Sequence, residues 1–220
     1  MKIFATSDIH GNRVIMDKLK EIASEADLLL ICGDIGGKST YGKTFQQFSD
    51  AQKQDAAYLN RILNNISKES YFILGNDDWF EYSGKHYLRR PVKISGDTLI
   101  PFEWVLLTPF NTNREANENK IDYELMKIPA DHRSIMVAHT PPLGAGDILY
   151  NGEHCGSHSV RNWIEQIQPK LWLCGHIHEN NSASWIGKTL VLNCACWHTD
   201  GVLRGWLIDT ETMEYEDVCI

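Results

Sequence analysis

Residues 2–36 read KIFATSDIHGNRVIMDKLKEIASEADLLLICGDIG, and this stretch decides the fold class. Lys2–Ser7 is an apolar run of the right length for a buried strand. Val14–Ala23 then sets Val14, Ile15, Leu19 and Ile22 on one face at helical spacing. Leu28–Cys32 is apolar without a break, as expected of a strand covered on both sides. Strand, helix and strand within about thirty residues form a βαβ unit, whose two strands run parallel. Ligands of such sheets gather just beyond the carboxyl ends of the strands. Asp8 and His10 stand at one of those ends, and Asp34 at the other.

Three more apolar runs finish in the same manner. Tyr71–Leu74 leads to Gly75-Asn76-Asp77-Asp78, Ser134–Ala138 to His139, and Leu171–Cys174 to Gly175-His176-Ile177-His178. Taken singly, Asp-x-His and Gly-Asp are commoner as turns and caps, because Gly and Asp tolerate turn geometry. Gly-His-x-His is more specific, since alternate residues of an extended segment point the same way and can both coordinate. Together the runs deliver seven oxygen and nitrogen donors and no thiolate. That set is about what two divalent cations sharing one carboxylate require, and such pairs serve phosphoryl transfer.

With these blocks in this order, the chain resembles the calcineurin-like metallophosphoesterases, whose signature runs D-x-H, G-D, G-N-H-D/E, a lone His and G-H-x-H. The resemblance extends from Asp8 to His178. The stretch from His139-Thr140-Pro141-Pro142 to Gly175-His176-Ile177-His178-Glu179 is similar to the phosphodiesterase-type branch. The resemblance implies an α/β protein, a four-layer α/β/β/α sandwich of two mixed sheets with flanking helices. It implies Asp34 as the carboxylate between the ions, with Asp8, His10 and His178 completing one site and Asn76, His139 and His176 the other. Mn, Fe, Zn, Co and Ni all suit such mixed donors. A hydroxide held between two such ions would attack a small phosphodiester or phosphomonoester, the diester being favoured.

One block departs from the family pattern: Asp77 stands where a His usually protonates the leaving group. A carboxylate near two dications is ionised and has no proton to give. Either another acid has taken over, or esters with good leaving groups are preferred, or turnover is low. On the plainer reading Asp77 only stabilises a turn. His154, in the loop Asn151–His158, is the candidate replacement acid, although an exposed loop or cap role is the simpler reading for it and for His158. Asp78 and His198 are expected behind the ligands as hydrogen-bond partners. His86, Arg89 and Arg90 form a basic cluster that reads as a solvated face rather than a phosphate contact.

The 220 residues, 43% hydrophobic and 23% charged, suit one globular domain over residues 1–220. No apolar run reaches the roughly eighteen residues of a membrane span. The formal net charge of −8 disfavours a nucleic-acid partner, and a small phosphorylated substrate fits better. Six cysteines without paired spacing read as structural residues of a protein kept in the reducing cytoplasm. A non-catalytic binding module of the same fold would have lost ligands, and a repair nuclease would bring a basic groove. Neither mark is present.

The rest of the chain is expected to be regular. Thr44–Ile66 reads as a long helix, Trp79–Arg90 as loop or short helix, and Thr98–Ile100 with Trp104–Leu107 as a hairpin around Pro101. Phe110–Lys120 reads as a surface loop and Ile121–Lys127 as a short helix. His158–Gln168 is a helix stopped by Pro169, while Leu190–Cys194 and Arg204–Asp209 are expected to complete a second sheet.

Overall fold

The computed structural model describes residues 1–66 and 68–220. Its first half runs β1 (Lys2–Thr6), α1 (Arg13–Ile22), β2 (Leu28–Ile31), α2 (Phe45–Asn65), β3 (Glu69–Phe72), β4 (Val92–Ile94) and β5 (Asp97–Phe102). Then come β6 (Val105–Leu106), β7 (Glu115–Ala116), α3 (Glu118–Leu125), β8 (Ser134–Ala138), α4 (His158–Ile167) and β9 (Leu171–Cys174). Four strands end the chain: β10 (Ser182–Ile186), β11 (Thr189–Asn193), β12 (Arg204–Asp209) and β13 (Tyr215–Cys219).

The opening βαβ unit forms as read: β1 pairs with β2 in parallel, and β3 extends that order. The first sheet runs β13-β12-β1-β2-β3, and the second β10-β11-β9-β8-β5-β4. Both are mixed: in the first, β1, β2 and β3 run parallel and β12 and β13 are added antiparallel on one side, while the second has a parallel centre and antiparallel edges. Strand period decides the layering. Ile3, Ala5, Leu28 and Leu30 point at the second sheet and meet Ile135, Val137, Leu171 and Leu173. Their neighbours Phe4, Leu29 and Ile31 point the other way, onto Ile15, Leu19, Leu59 and Leu63 of α1 and α2. Met136, Trp172 and Val191 turn from the second sheet onto Leu125, Val160 and Ile164 of α3 and α4. Three buried layers of side chains therefore hold four layers of backbone, the α/β/β/α sandwich expected.

Helix starts are fixed locally. Asn12 caps α1 by accepting from the Val14 and Ile15 amides, and Thr44 with Gln47 forms a reciprocal capping box on α2. No helix among the described residues is long and apolar enough to cross a membrane.

Four expectations need correction. Pro101 is not the tip of a hairpin: it lies inside β5, between β4 and β8. The tight turn is at Ser95-Gly96, both at positive φ, which an L-residue run of Val and Ile could not supply. Trp104–Leu107 contributes β6 to a separate two-stranded sheet with β7 instead. Arg204–Asp209 belongs to the first sheet, antiparallel to β1, because Gly205 lets the strand lie against the Ala5 carbonyl. Phe110–Lys120 is no featureless loop, since it holds β7 and the start of α3.

Candidate metal centre

Every one of the seven sequence-selected donors sits just after the carboxyl end of a strand: β1, β2, β3, β8 or β9. The loops that carry them are tied together by backbone bonds. Asp8 N donates to Gly33 O at 3.1 Å, His10 N to Asp34 O at 2.9 Å, and Gly175 N to His139 O at 3.1 Å. Asp8, His10, Asp34 and His176 all adopt left-handed backbone, with φ of 60°, 45°, 53° and 71°. Each such residue costs of order 1–3 kcal/mol, and strain of this kind collects at functional sites. Two motif glycines are there because of crowding. A Cβ on Gly75 would lie 2.2 Å from Asp34 Oδ1, and one on Gly175 2.2 Å from Asp8 Oδ2.

The side chains converge in two groups around one carboxylate. In the first, His178 Nε2 lies 3.0 Å from Asp8 Oδ1 and 3.3 Å from His10 Nε2. In the second, His139 Nε2 lies 3.0 Å from Asn76 Oδ1, with the His176 ring centroid 5.3 Å from that of His139. Asp34 Oδ2 stands between them, 3.5 Å from His10 Nε2 and 3.4 Å from His139 Nε2. The orientations are set from behind. Asn76 Nδ2 donates to Thr112 Oγ1 at 2.8 Å, which turns its oxygen inward. His139 Nδ1 donates to the Cys32 carbonyl at 2.6 Å, which aims Nε2 at Asp34. Carboxylate and amide oxygens and imidazole nitrogens thus face one another in a buried space, a donor set that fits divalent cations once the ring protons are displaced.

Electrostatics agree with that reading. Burial would raise Asp8, but the imidazoles of His178, His139 and His10 hold its carboxyl well below the usual range. Burial would lower His139, yet Asp34 overrides it and pushes the imidazole up to about 10. His176 is pushed down to about 4 by burial and the neighbouring His139. Burial and the nearby Asp34 push Asp78 up to about 7, against the Gly36 and Gly75 amides that donate to it.

The remaining candidates divide. Asp77 does enter the site: one of its oxygens, one of Asp34 and a ring nitrogen of His10 lie within 4.8 Å of one another. Its Oδ2 pairs with Lys38 Nζ at 3.2 Å, so it is not merely a turn residue. Burial and then Asp34 raise its pKa, with Lys38 opposing. His154 is not brought in. Its half-exposed ring is turned to Asp147, Nδ1 to Oδ1 at 2.7 Å, and it joins none of the donor clusters among the described residues. His158 begins α4. His86 is neither solvated nor at the site; it is buried against Ser70 and Asn64 near the start of β3. Asp78 lies behind the candidate donors, accepting from Ile35, Gly36 and Gly75 amides. His198 comes closer than expected, its ring nitrogen grouped with those of His10 and His178 within 4.8 Å.

Sequence reasoning missed two residues. Lys38 follows Gly36-Gly37 and enters the site through Asp77; a lone cation close after a ligand was the available signal. Arg114, at φ 53°, donates from Nη1 to the Gly75 and Asp78 carbonyls at 3.1 and 2.7 Å and so clamps the Asn76 loop. Nothing in its sequence surroundings announces that role.

The profile of the calcineurin-like phosphoesterases matches residues 1–180. An uncharacterized protein of Methanocaldococcus jannaschii is 31% identical over 205 residues, covering 88% of this chain and 87% of that one. A UPF0046 protein of Caenorhabditis elegans is 38% identical over 169 residues, 73% of this chain and 41% of the longer relative. Among solved structures, a Thermus thermophilus protein superposes with a TM-score of 0.69 at 17% identity, over 99% of this chain and 98% of that one. An archaeal phosphodiesterase superposes at 0.51 and 14% identity, covering both chains fully. Fold and site thus define a metal-dependent phosphoester hydrolase. The chain belongs to the calcineurin-like phosphoesterase family.

Proposed function

We propose that the protein is a dinuclear metal-dependent phosphoesterase acting on a small phosphodiester or phosphomonoester. The observation that carries this reading is the position of Asp34 Oδ2, nearly equidistant from His10 Nε2 and His139 Nε2. Asp34 would bridge two cations. Asp8, His10 and His178 would complete one site, and Asn76, His139 and His176 the other. When bound, the cations supply a water activated at neutral pH and positive charge for the phosphoryl oxygens. Mn, Fe, Zn, Co and Ni all suit the donors.

The chain's own residues account for the departure at position 77. Asp77 holds the Lys38 ammonium at the mouth of the site, and Lys38 brings the positive charge that a His supplies in the family pattern. A fixed cation aimed at a phosphoryl oxygen lowers the barrier without giving up a proton. The carboxylate beside it disfavours a doubly charged monoester more than a singly charged diester, so the diester is the preferred substrate. Free cysteines throughout, four of them buried, suit a reducing compartment, and the cytoplasm is the location we infer.

Metal analysis beside hydrolysis of nitrophenyl mono- and diesters, across a panel of divalent metals, tests the proposal. Two ions per chain and metal-dependent turnover are expected. One ion per chain at saturation, or turnover that survives chelation, would overturn it.

A further inference from the structure

A cleft of about 480 Å³ opens beside His176 and His178, which form part of its wall. Its volume falls within the range of small-molecule sites. Most of the lining is apolar: Leu106 at the end of β6, Leu107, Pro109 and Phe110 just after it, then Leu149 and Trp197. Phe110 is 79% exposed, Leu107 66% and Trp197 39%. Tyr150, 76% exposed, stands edge-on to Trp197 with ring centroids 6.1 Å apart. Trp197 in turn meets the His178 ring edge-on at 6.1 Å. None of these exposed side chains belongs to the three buried cores. Large apolar groups left in water around a reactive centre mark a binding surface rather than a packing need.

The charges narrow what fits. Among the described lining residues Lys38 is the single Lys or Arg, and on the reading above the reacting phosphoryl group already takes it. Glu179 adds a negative charge at the same cleft. A second phosphate or a carboxylate on the occupant would therefore be repelled. Resting on the phosphoesterase reading, we propose that this cleft holds an uncharged, planar aromatic arm of the phosphoester, stacked on Trp197, with the phosphorus at His176 and His178. Sugar phosphates and polyphosphates are then poor substrates, and aryl or nucleoside esters good ones.

Calorimetric binding of methyl-, cyclohexyl- and phenylphosphonate to the manganese-loaded protein tests this without turnover. The three share one anionic head and differ only in the arm. Phenylphosphonate is expected to bind about tenfold or more tightly than methylphosphonate, and tighter than cyclohexylphosphonate. Trp197→Ala should bring the phenyl-to-methyl ratio close to one, and Trp197→Phe should restore most of it, with circular dichroism unchanged in both. Equal binding of all three, cyclohexyl as good as phenyl, or a ratio untouched by Trp197→Ala would overturn the aromatic subsite alone. If none binds while the metals are in place, the phosphoesterase reading falls and takes this one with it.

Discussion

His139 Nδ1 donates to the carbonyl oxygen of Cys32 at 2.6 Å, across the seam between the two sheets. The bond joins the residue after β8 to the residue after β2, so the ends of two strands from different sheets share one hydrogen bond. It also consumes one ring nitrogen and leaves the other facing Asp34. Packing of the sandwich and orientation of a candidate ligand are the same interaction here.

That geometry carries a pH dependence. Asp34 overrides burial and pushes His139 up to about 10, so at pH 7.5 its Nε2 is protonated until a cation displaces the proton. Asp8 likewise overrides burial to raise His178. Protons and metal compete for the same nitrogens, so loading should release protons and affinity should fall as pH falls. Calorimetry in two buffers of different protonation enthalpy reads the number directly. Loading with no net proton release would contradict the assignment of His139 as a ligand.

Asp34→Asn should bind fewer than two ions and lose measurable hydrolysis while keeping its circular dichroism. An amide retains the shape but removes the charge that both halves of the site share. Normal metal content with most of the activity retained would rule out a bridging role.

Lys38→Met should lower kcat by about 10²-fold, the usual effect of removing one fixed donor to a developing charge. Lys38→Arg should keep most of the rate, because charge rather than proton transfer is at stake. Asp77→His should raise the ratio of alkyl to nitrophenyl ester turnover, since a proton donor helps a strongly basic leaving group most. A Lys38→Met enzyme with wild-type kcat would end the proposed substitution of Lys38 for the family His.

Gly175→Ala should lose metal and stability together. The added methyl would meet Ser7 Oγ at 2.1 Å and Asp8 Oδ2 at 2.2 Å. Overpacking of this kind costs about 1–3 kcal/mol, measurable by urea unfolding, and metal analysis should show depletion. Full occupancy in this variant would mean that Asp8 is not needed in its present position.

Arg114→Ala should weaken the half of the site that contains Asn76. It removes two N–H donors from the Gly75 and Asp78 carbonyls, each bond worth about 1.5–3 kcal/mol with a charged partner. The expected result is tighter dependence of activity on added metal, with one ion lost first on dialysis. Simultaneous loss of both ions, or of neither, would place the clamp elsewhere.

The sequence by itself determined the parallel start of the first sheet and the strand ends at which seven candidate donors emerge. Both are written in local pattern. Unbroken apolar runs specify buried strands, and a polar residue straight after each run must emerge at the strand's carboxyl end. It also singled out Asp77, because a residue that departs from a recognised block is visible without coordinates. What it could not decide was partnership across the chain. Arg204–Asp209 reads as a strand, but only packing assigns it to β1, where Gly205 permits close approach. Phe110–Lys120 is polar and irregular, yet Thr112, Asn113 and Arg114 hold the Asn76 loop from behind. Lys38, not singled out by the sequence, meets Asp77 from a different loop, and His154, the acid the sequence offered, is turned to Asp147. Hydrogen bonds and ion pairs between distant segments leave no periodicity in either segment, so only the tertiary structure decided them.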